Sequence, residues 1–227
     1  WITEAPTPFK IFSEKRLNGG PHNSGWGVAW LVKNKWKIFK EGKNNVERFH
    51  FEKIKNLQSK TFLVHLRHAS IGAETTRNAH PFIYKNWVFE HNGGISRKNI
   101  INHLNEKFRK TLTSETDSEV FFLLIMQLLE EKEDIVKAIK DALNIVKRYK
   151  YNGLKFILSD GKNLYVFRDY NTKLKEKESY YSLHYLFKND QIIFSSDPLS
   201  SEKWKTVGLN DLFIVNKKLK IRKIKIM

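Results

Sequence analysis

Apolar and polar positions change period several times along the chain, and each change marks an element. Residues 26–32 and 36–40 are short β-branched and aromatic runs parted by Lys33-Asn34-Lys35, a pattern that predicts a hairpin. A helical pattern covers 45–59. Residues 61–67 read as a buried strand, and 86–90 as another that runs into the turn signal Asn92-Gly93-Gly94. Ser96 is placed to cap a helix reaching residue 108, and Thr116-Asp117-Ser118-Glu119 has the form of a capping box ahead of the apolar run 120–129. Between 134 and 149, Ile135, Val136, Ile139, Leu143 and Val146 recur on one helical face. Beyond that the pattern is that of strands: 154–158, a turn at Ser159-Asp160-Gly161, then 164–168, 179–187, 192–195, 212–215 and 219–226. Strands, then helices, then strand meanders predict an α+β fold with antiparallel sheets rather than a βαβ fold.

Composition narrows this to one domain. The chain has 227 residues, 41% of them hydrophobic and 13% aromatic, which supports a sizeable core and excludes disorder, collagen and coiled coil. No linker, repeat or low-complexity tract divides it, so 1–227 is read as a single domain. Subtracting 24 acidic from 41 basic residues leaves +17, but only Arg16, Arg48, Arg67, Arg77, Arg97, Arg109, Arg148, Arg168 and Arg222 are arginines and the rest are dispersed lysines. Dispersed lysine supplies counterion release without base readout, so only weak, salt-sensitive and sequence-independent binding to nucleic acid is expected. Lysine enrichment is also a hyperthermophile signature. The basic segment 217–225 reads as an edge strand guarded against pairing rather than as a phosphate-contacting ribbon. No apolar run approaches the roughly 18 residues that span a bilayer, so a cytoplasmic protein without a membrane partner is expected.

Chemistry-bearing side chains crowd five short segments. They are His22-Asn23-Ser24-Gly25-Trp26-Gly27, His65-Leu66-Arg67-His68-Ala69-Ser70, Asn78-Ala79-His80-Pro81-Phe82, Glu90-His91-Asn92-Gly93-Gly94 and Glu115-Thr116-Asp117-Ser118-Glu119. Singly each is ordinary: Asn-Gly is a common turn, Arg67 suits a surface ion pair, and Asp117 complements a helix N-terminus in any protein. The histidines 22, 65, 68, 80 and 91 raise the question of a metal. Only Glu90 lies at ligand spacing and no His-x-x-x-His falls on a helix, so no metal and no other cofactor are expected. The absence of cysteine excludes a disulfide framework and Cys-ligated zinc from residues 1–227.

Taken in order, the five segments resemble the class II glutamine amidotransferases of the N-terminal-nucleophile hydrolases, in particular their small stand-alone branch. Leu158-Ser159-Asp160-Gly161 and Ser195-Ser196-Asp197-Pro198-Leu199 with Trp204 extend the likeness over most of the chain. The resemblance implies a four-layer αββα sandwich of two antiparallel sheets. It also implies hydrolysis of the side-chain amide of glutamine or of a γ-glutamyl amide, giving glutamate plus ammonia or amine. Asn92 and Gly93 would form the oxyanion hole, Arg67 would hold the substrate α-carboxylate with Ser70 and His80 in support, and Asp117 would pair with the α-ammonium. Any ammonia-accepting synthase would be a partner protein.

Three positions depart from the family pattern. Ser24 stands where the family has Asp, Ser70 where it has Thr, and the family's N-terminal cysteine nucleophile has no counterpart in residues 1–227. The chain opens at Trp1 and its methionines are Met126 and Met227, so a first strand bearing that cysteine is expected upstream, over roughly 15–30 residues at the rise of an extended chain. Two alternatives stay open: a γ-glutamyl peptide hydrolase, and an inactive relative serving as a basic binding module.

Overall fold

The computed structural model describes residues 22, 24–43, 51–174 and 178–226. Antiparallel hairpins and two principal helices make it an α+β fold. Strands β1 (Gly25–Val32) and β2 (Lys35–Gly42) form the predicted hairpin, with Lys33 and Asn34 both at positive φ as its tight turn requires, and β3 (Phe62–Leu66) pairs with the other edge of β1. Strands β4 (Phe82–Tyr84), β5 (Trp87–Asn92), β6 (Gly153–Ser159), β7 (Asn163–Tyr170), β11 (Asp211–Asn216) and β12 (Ile221–Lys225) form a six-stranded sheet in the order β12-β11-β7-β6-β5-β4. Between its halves come the helical turns α1 (Arg97–Ile100) and α2 (Glu106–Arg109) and the long helices α3 (Asp117–Lys132) and α4 (Ile135–Val146). Strands β8 (His184–Lys188), β9 (Gln191–Ser195) and β10 (Lys205–Thr206) make a third sheet ordered β10-β8-β9.

Alternation along the large sheet sorts its side chains into two cores. Phe89, Phe156, Phe167, Leu154, Leu158 and Leu212 face α3 and α4, with Phe89 stacked flat on Phe122 at 5.2 Å between ring centroids. The other face meets both small sheets: Val88 and Ile157 pack with Ala29, Trp36 and Leu63, while Val166 and Phe213 pack with Leu183, Tyr185 and Phe194. The small sheets thus lie side by side over one face of the large one. On the outer side of β1–β3, Ile54 and Leu57 pack against Trp26, Val28 and Leu66.

Several predicted elements are shortened or split. Residues 45–50 of the predicted helix 45–59 lie outside the described residues, and from Phe51 only a 3₁₀ turn, Phe51–Ile54, forms. The Ser59 hydroxyl accepts from Leu31 N–H and donates to Leu31 C=O, so the chain is drawn onto the edge of β1 instead of continuing as helix. The predicted helix 96–108 is broken into α1, a 3₁₀ turn and α2, because Gln127 reaches in from α3 to accept from Asn105 N–H and donate to His103 C=O. Strand β4 was not legible in the pattern. The predicted strand 179–187 begins only at His184, a 3₁₀ turn (Glu178–Tyr181) coming first.

Thr116 and Asp134 cap their helices as their chemistry requires, but at Ser96, where a cap was also expected, the side chain makes no cap bond and its hydroxyl accepts instead from Asn99 Nδ2. Thr116 accepts from Glu119 N–H and Asp134 from Val136 and Lys137 N–H. Glu119 does not return to Thr116 as a capping box would. It accepts instead from Thr113 and Ser114 N–H, tying the preceding loop to the helix start.

Candidate active site

Helix α3 points its N-terminus at the end of β5, and the end of β3 approaches from the sheet above. Arg67, Ser70, His80, Asn92, Gly93 and Asp117 line one cavity of about 280 Å³ there, although they come from four separate segments. Its walls are the outer edges of β3 (Val64, His65, Leu66) and β9 (Phe194, Ser195), and its floor is the face of β5 and β6 carrying Glu90, Asn92, Lys155 and Ile157.

Asn92 is the last residue of β5, two beyond the strand end expected from the sequence, and so has a strand's rigidity rather than a turn's freedom. Gly93 then bends away at φ +135, packed so closely on Gly153 that a Cβ would overlap the Gly153 carbonyl. That carbonyl accepts from His91 Nε2 at 3.3 Å while His91 Nδ1 meets the Ser118 hydroxyl at 3.0 Å, which fixes the turn at Gly93 to the start of α3. Burial lowers the His91 pKa, so the ring is neutral and each nitrogen keeps its role.

Arg67 and Asp117 form the charged end. Asp117, 6% exposed, accepts Ile95 N–H at 2.8 Å through Oδ2, has the Ser118 hydroxyl 3.4 Å from Oδ1, and lines the cavity at the positive end of α3. Arg67, 4% exposed, donates through Nη1 to Ala73 C=O (3.1 Å) and through Nη2 to Ile71 C=O (2.6 Å) and Gly72 C=O (3.4 Å). The guanidinium therefore props the loop around residue 72 as well as lining the cavity. Burial lowers its pKa, and the nearby carboxylates Glu74, Asp117 and Glu115 oppose that. Ser70 sits exposed on the rim; His80 is buried at 4% exposure, its ring 4.1 Å from that of His65 and both of its nitrogens without a partner among the described residues. Burial holds His80 well below its ordinary pKa, hence neutral.

Some site residues carried no role in the sequence reading. Asn78 and Glu115 brace the Arg67 loop: Glu115 accepts from Ala73 N–H and Asn78 Nδ2, and Asn78 Oδ1 accepts from Glu115 N–H. Gly27 supplies the other constraint, because a Cβ there would overlap His80 C=O, which explains a glycine after Trp26. Glu90 is the third. It lies on the cavity floor with Oε2 shielded from solvent and unpartnered among the described residues, and burial pushes its carboxyl up to about 8. A raised carboxyl pKa means that the native state holds a proton the unfolded chain releases, so Glu90 weakens folding as pH climbs from about 4.5 to 8. Glu90→Gln is accordingly expected to stabilise the fold, by a margin that grows across this window and levels off above it. Urea unfolding at pH 5, 7 and 8.5 reads this directly; a margin independent of pH contradicts it.

Among the described residues no group of three or more His, Asp and Glu is placed to hold a metal ion, and no helix is long and apolar enough to cross a membrane.

Comparison with known proteins places this geometry. The chain is 26% identical over 237 residues to an uncharacterised protein of Methanocaldococcus jannaschii, covering 90% of this chain and 66% of the relative. It is 25% identical over 207 residues to the probable glutamine amidotransferase DUG3 of Saccharomyces cerevisiae, covering 70% of this chain and 58% of that one. It therefore spans less than two thirds of the length of both curated relatives. Among solved structures, a glutamine aminotransferase class-II domain protein of Silicibacter pomeroyi superposes with a TM-score of 0.69 at 20% identity, over 88% of this chain and 90% of that one. The glutamine phosphoribosylpyrophosphate amidotransferase of Bacillus subtilis does so with 0.67 at 16%, over 90% of this chain and 43% of that one. The pattern of the family described as glutamine amidotransferases class-II matches residues 2–216, nearly the whole chain, and with the shared fold this makes the protein a member of the class II glutamine amidotransferases.

Proposed function

We propose that the protein hydrolyses the side-chain amide of glutamine or of a γ-glutamyl amide, giving glutamate plus ammonia or amine. The observation that carries this reading is the layout of this cavity: a cation and an anion, Arg67 and Asp117, at one end, and the amide of Asn92 with the turn at Gly93 at the other. A zwitterionic α-carbon bound at the charged end, its carboxylate on the unused Arg67 hydrogens and its ammonium on Asp117, sets the γ-amide carbonyl towards Asn92 and Gly93. Ser70 and His80 support the carboxylate side. A thiolate attacking the carbonyl carbon of the γ-amide drives the carbonyl electrons onto oxygen, where Asn92 Nδ2–H and Gly93 N–H stabilise the charge. Collapse expels the amine as it takes the proton that left the thiol, and water then hydrolyses the γ-glutamyl thioester to glutamate.

The thiol is assigned to a cysteine upstream of Trp1, delivered by an extended segment. Among the described residues β3 pairs only with β1, and β9 only with β8, and these two edges flank the cavity. A strand laid between them would hydrogen-bond to both, join the small sheets into one, and bring its N-terminus to Asn92. An ammonia-accepting synthase would be a separate partner.

The test uses the full-length gene product. A glutamine-mimicking electrophile should label one N-terminal cysteine and abolish release of glutamate from glutamine. L-Glutamate, which keeps both α-groups and cannot be hydrolysed, should bind in calorimetry, and Arg67→Ala or Asp117→Asn should each weaken that binding by about 1.5–3 kcal/mol, the worth of a charge-assisted hydrogen bond. Undiminished glutamate binding in both variants removes the anchor assignment. A gene product without an upstream cysteine removes the hydrolase reading.

A further inference from the structure

The Asn92 side chain can serve an oxyanion only if its nitrogen, not its oxygen, faces the reacting carbonyl. The two ends of an amide are nearly the same size, so packing does not choose between them and hydrogen-bond partners must. Asn92 has two such partners. Its Oδ1 lies 3.2 Å from His65 Nε2, and its Nδ2 lies 3.3 Å from the Ser196 hydroxyl. Ser196 can donate or accept equally well, so it holds the amide without orienting it. His65 is different, because a neutral imidazole carries its proton on one nitrogen only.

Which nitrogen follows from the surroundings. His65 is buried, and burial together with the neighbouring His22 and His91 pushes its pKa to about 3, so the ring is neutral throughout the working range. Its Nδ1 is shielded from solvent and has no hydrogen-bond partner among the described residues. A proton on Nδ1 would be an orphaned buried donor, the rarest kind of unsatisfied group, whereas a proton on Nε2 is used by the Asn92 oxygen. The ring is itself held in place by packing at a tilt against His80, 4.1 Å between ring centroids.

We infer that His65 is the positioning residue of the oxyanion hole: its Nε2–H fixes the Asn92 oxygen away from the reacting carbonyl, and Ser196 steadies the amide from the opposite strand edge. Neither residue touches the substrate in this role. The inference rests on reading Asn92 as an oxyanion donor, and the experiment separates the two claims.

In the first arm, nitrogen NMR of histidine-labelled full-length protein is expected to show the His65 proton on Nε2 from pH 5 to 8. A proton on Nδ1 overturns the inference, whatever the enzyme does. The second arm is kinetic. Glutamine places an N–H near the Nε2 position and asparagine near Nδ1. His65→Asn is therefore expected to lower kcat for glutamine about ten- to hundredfold, short of the loss of a whole oxyanion donor, with KM changed less than about threefold. His65→Gln should recover most of that kcat, and Ser196→Ala should show a smaller loss of the same form. Glutamate binding by calorimetry confirms that each variant is folded. Equal losses in both His65 variants, or a change in KM alone, overturn the inference. A wild-type protein that binds glutamate but releases none from glutamine defeats the functional reading alone and leaves the NMR arm to decide the clamp.

Discussion

Removing the Asn92 amide, as Asn92→Ala, is expected to lower kcat for glutamine hydrolysis by about 10²–10³, the usual cost of one oxyanion-hole donor. KM should change little, since the amide is called on when charge develops and not when the zwitterion binds at Arg67 and Asp117. Fold stability should also be nearly unaffected: Asn92 ends its strand, is only half-buried, and gives up two hydrogen bonds, to His65 and Ser196, at the cavity wall. Asn92→Asp is the sharper comparison, because it keeps the shape while replacing the donor by a negative charge beside the developing oxyanion. Steady-state kinetics on both variants, with urea unfolding alongside, checks the split. Loss expressed mainly in KM would place Asn92 in substrate binding instead.

Gly93→Ala is expected to have the largest effect on structure. At φ +135 an L side chain is strained whatever the space, and here the space is filled by the Gly153 backbone. Neither neighbour can yield cheaply. Gly153 opens β6 and its carbonyl is held by His91, while Tyr181 packs on its other side. The variant should lose at least about 3 kcal/mol of stability, in the range reserved for strain and backbone clashes, and any folded fraction should have a displaced Gly93 N–H and no measurable turnover. Gly94→Ala, one residue on, meets only the Asn152 side chain and is the control: it should unfold at nearly the wild-type urea concentration. Similar losses in the two variants would show that the turn tolerates a Cβ and that the argument from Gly153 is wrong.

The ordered motifs made the family and the fold class legible, because each pairs a backbone demand with a chemical one. Gly27 must admit His80 C=O, Gly93 must lie on Gly153, and Thr116 must cap α3 beside Asp117. Such constraints dictate the residue type at a single position and so leave a trace in the sequence even where the partner is distant. The hairpin β1–β2, the caps at Thr116 and Asp134, and the amphipathic face of α4 were readable for the same reason. What escaped depends on partners distant in sequence. The break between α1 and α2 is made by Gln127, and the end of the segment after Ile54 by Ser59 reaching back to Leu31, neither of which any local window contains. Within the site, Asn78, Glu115, His65 and Ser196 were visible as members of motifs, yet their duties lie in contacts across 27 to 104 positions. Glu90 was visible as a member of its motif, but its burial was not, since a carboxyl among apolar strand residues looks the same whether it faces solvent or a closed cavity floor.

The amide of Asn92 is held from β3 on one side and from the segment after β9 on the other, while its own strand belongs to the large sheet. Three sheets therefore meet at a single side chain, and that meeting has a kinetic meaning. Each sheet contains hairpins that close short loops early, and even the longest-range strand pairing, β5 with β6, spans less of the chain than the contact between Asn92 and Ser196, which closes a loop of more than a hundred residues and carries the larger entropic cost of closure. A refolding chain can thus regain its far-ultraviolet dichroism with each sheet formed and none docked. Recovery of turnover reports the later event, the docking of all three, and is a stricter clock of native assembly than any measure of secondary structure.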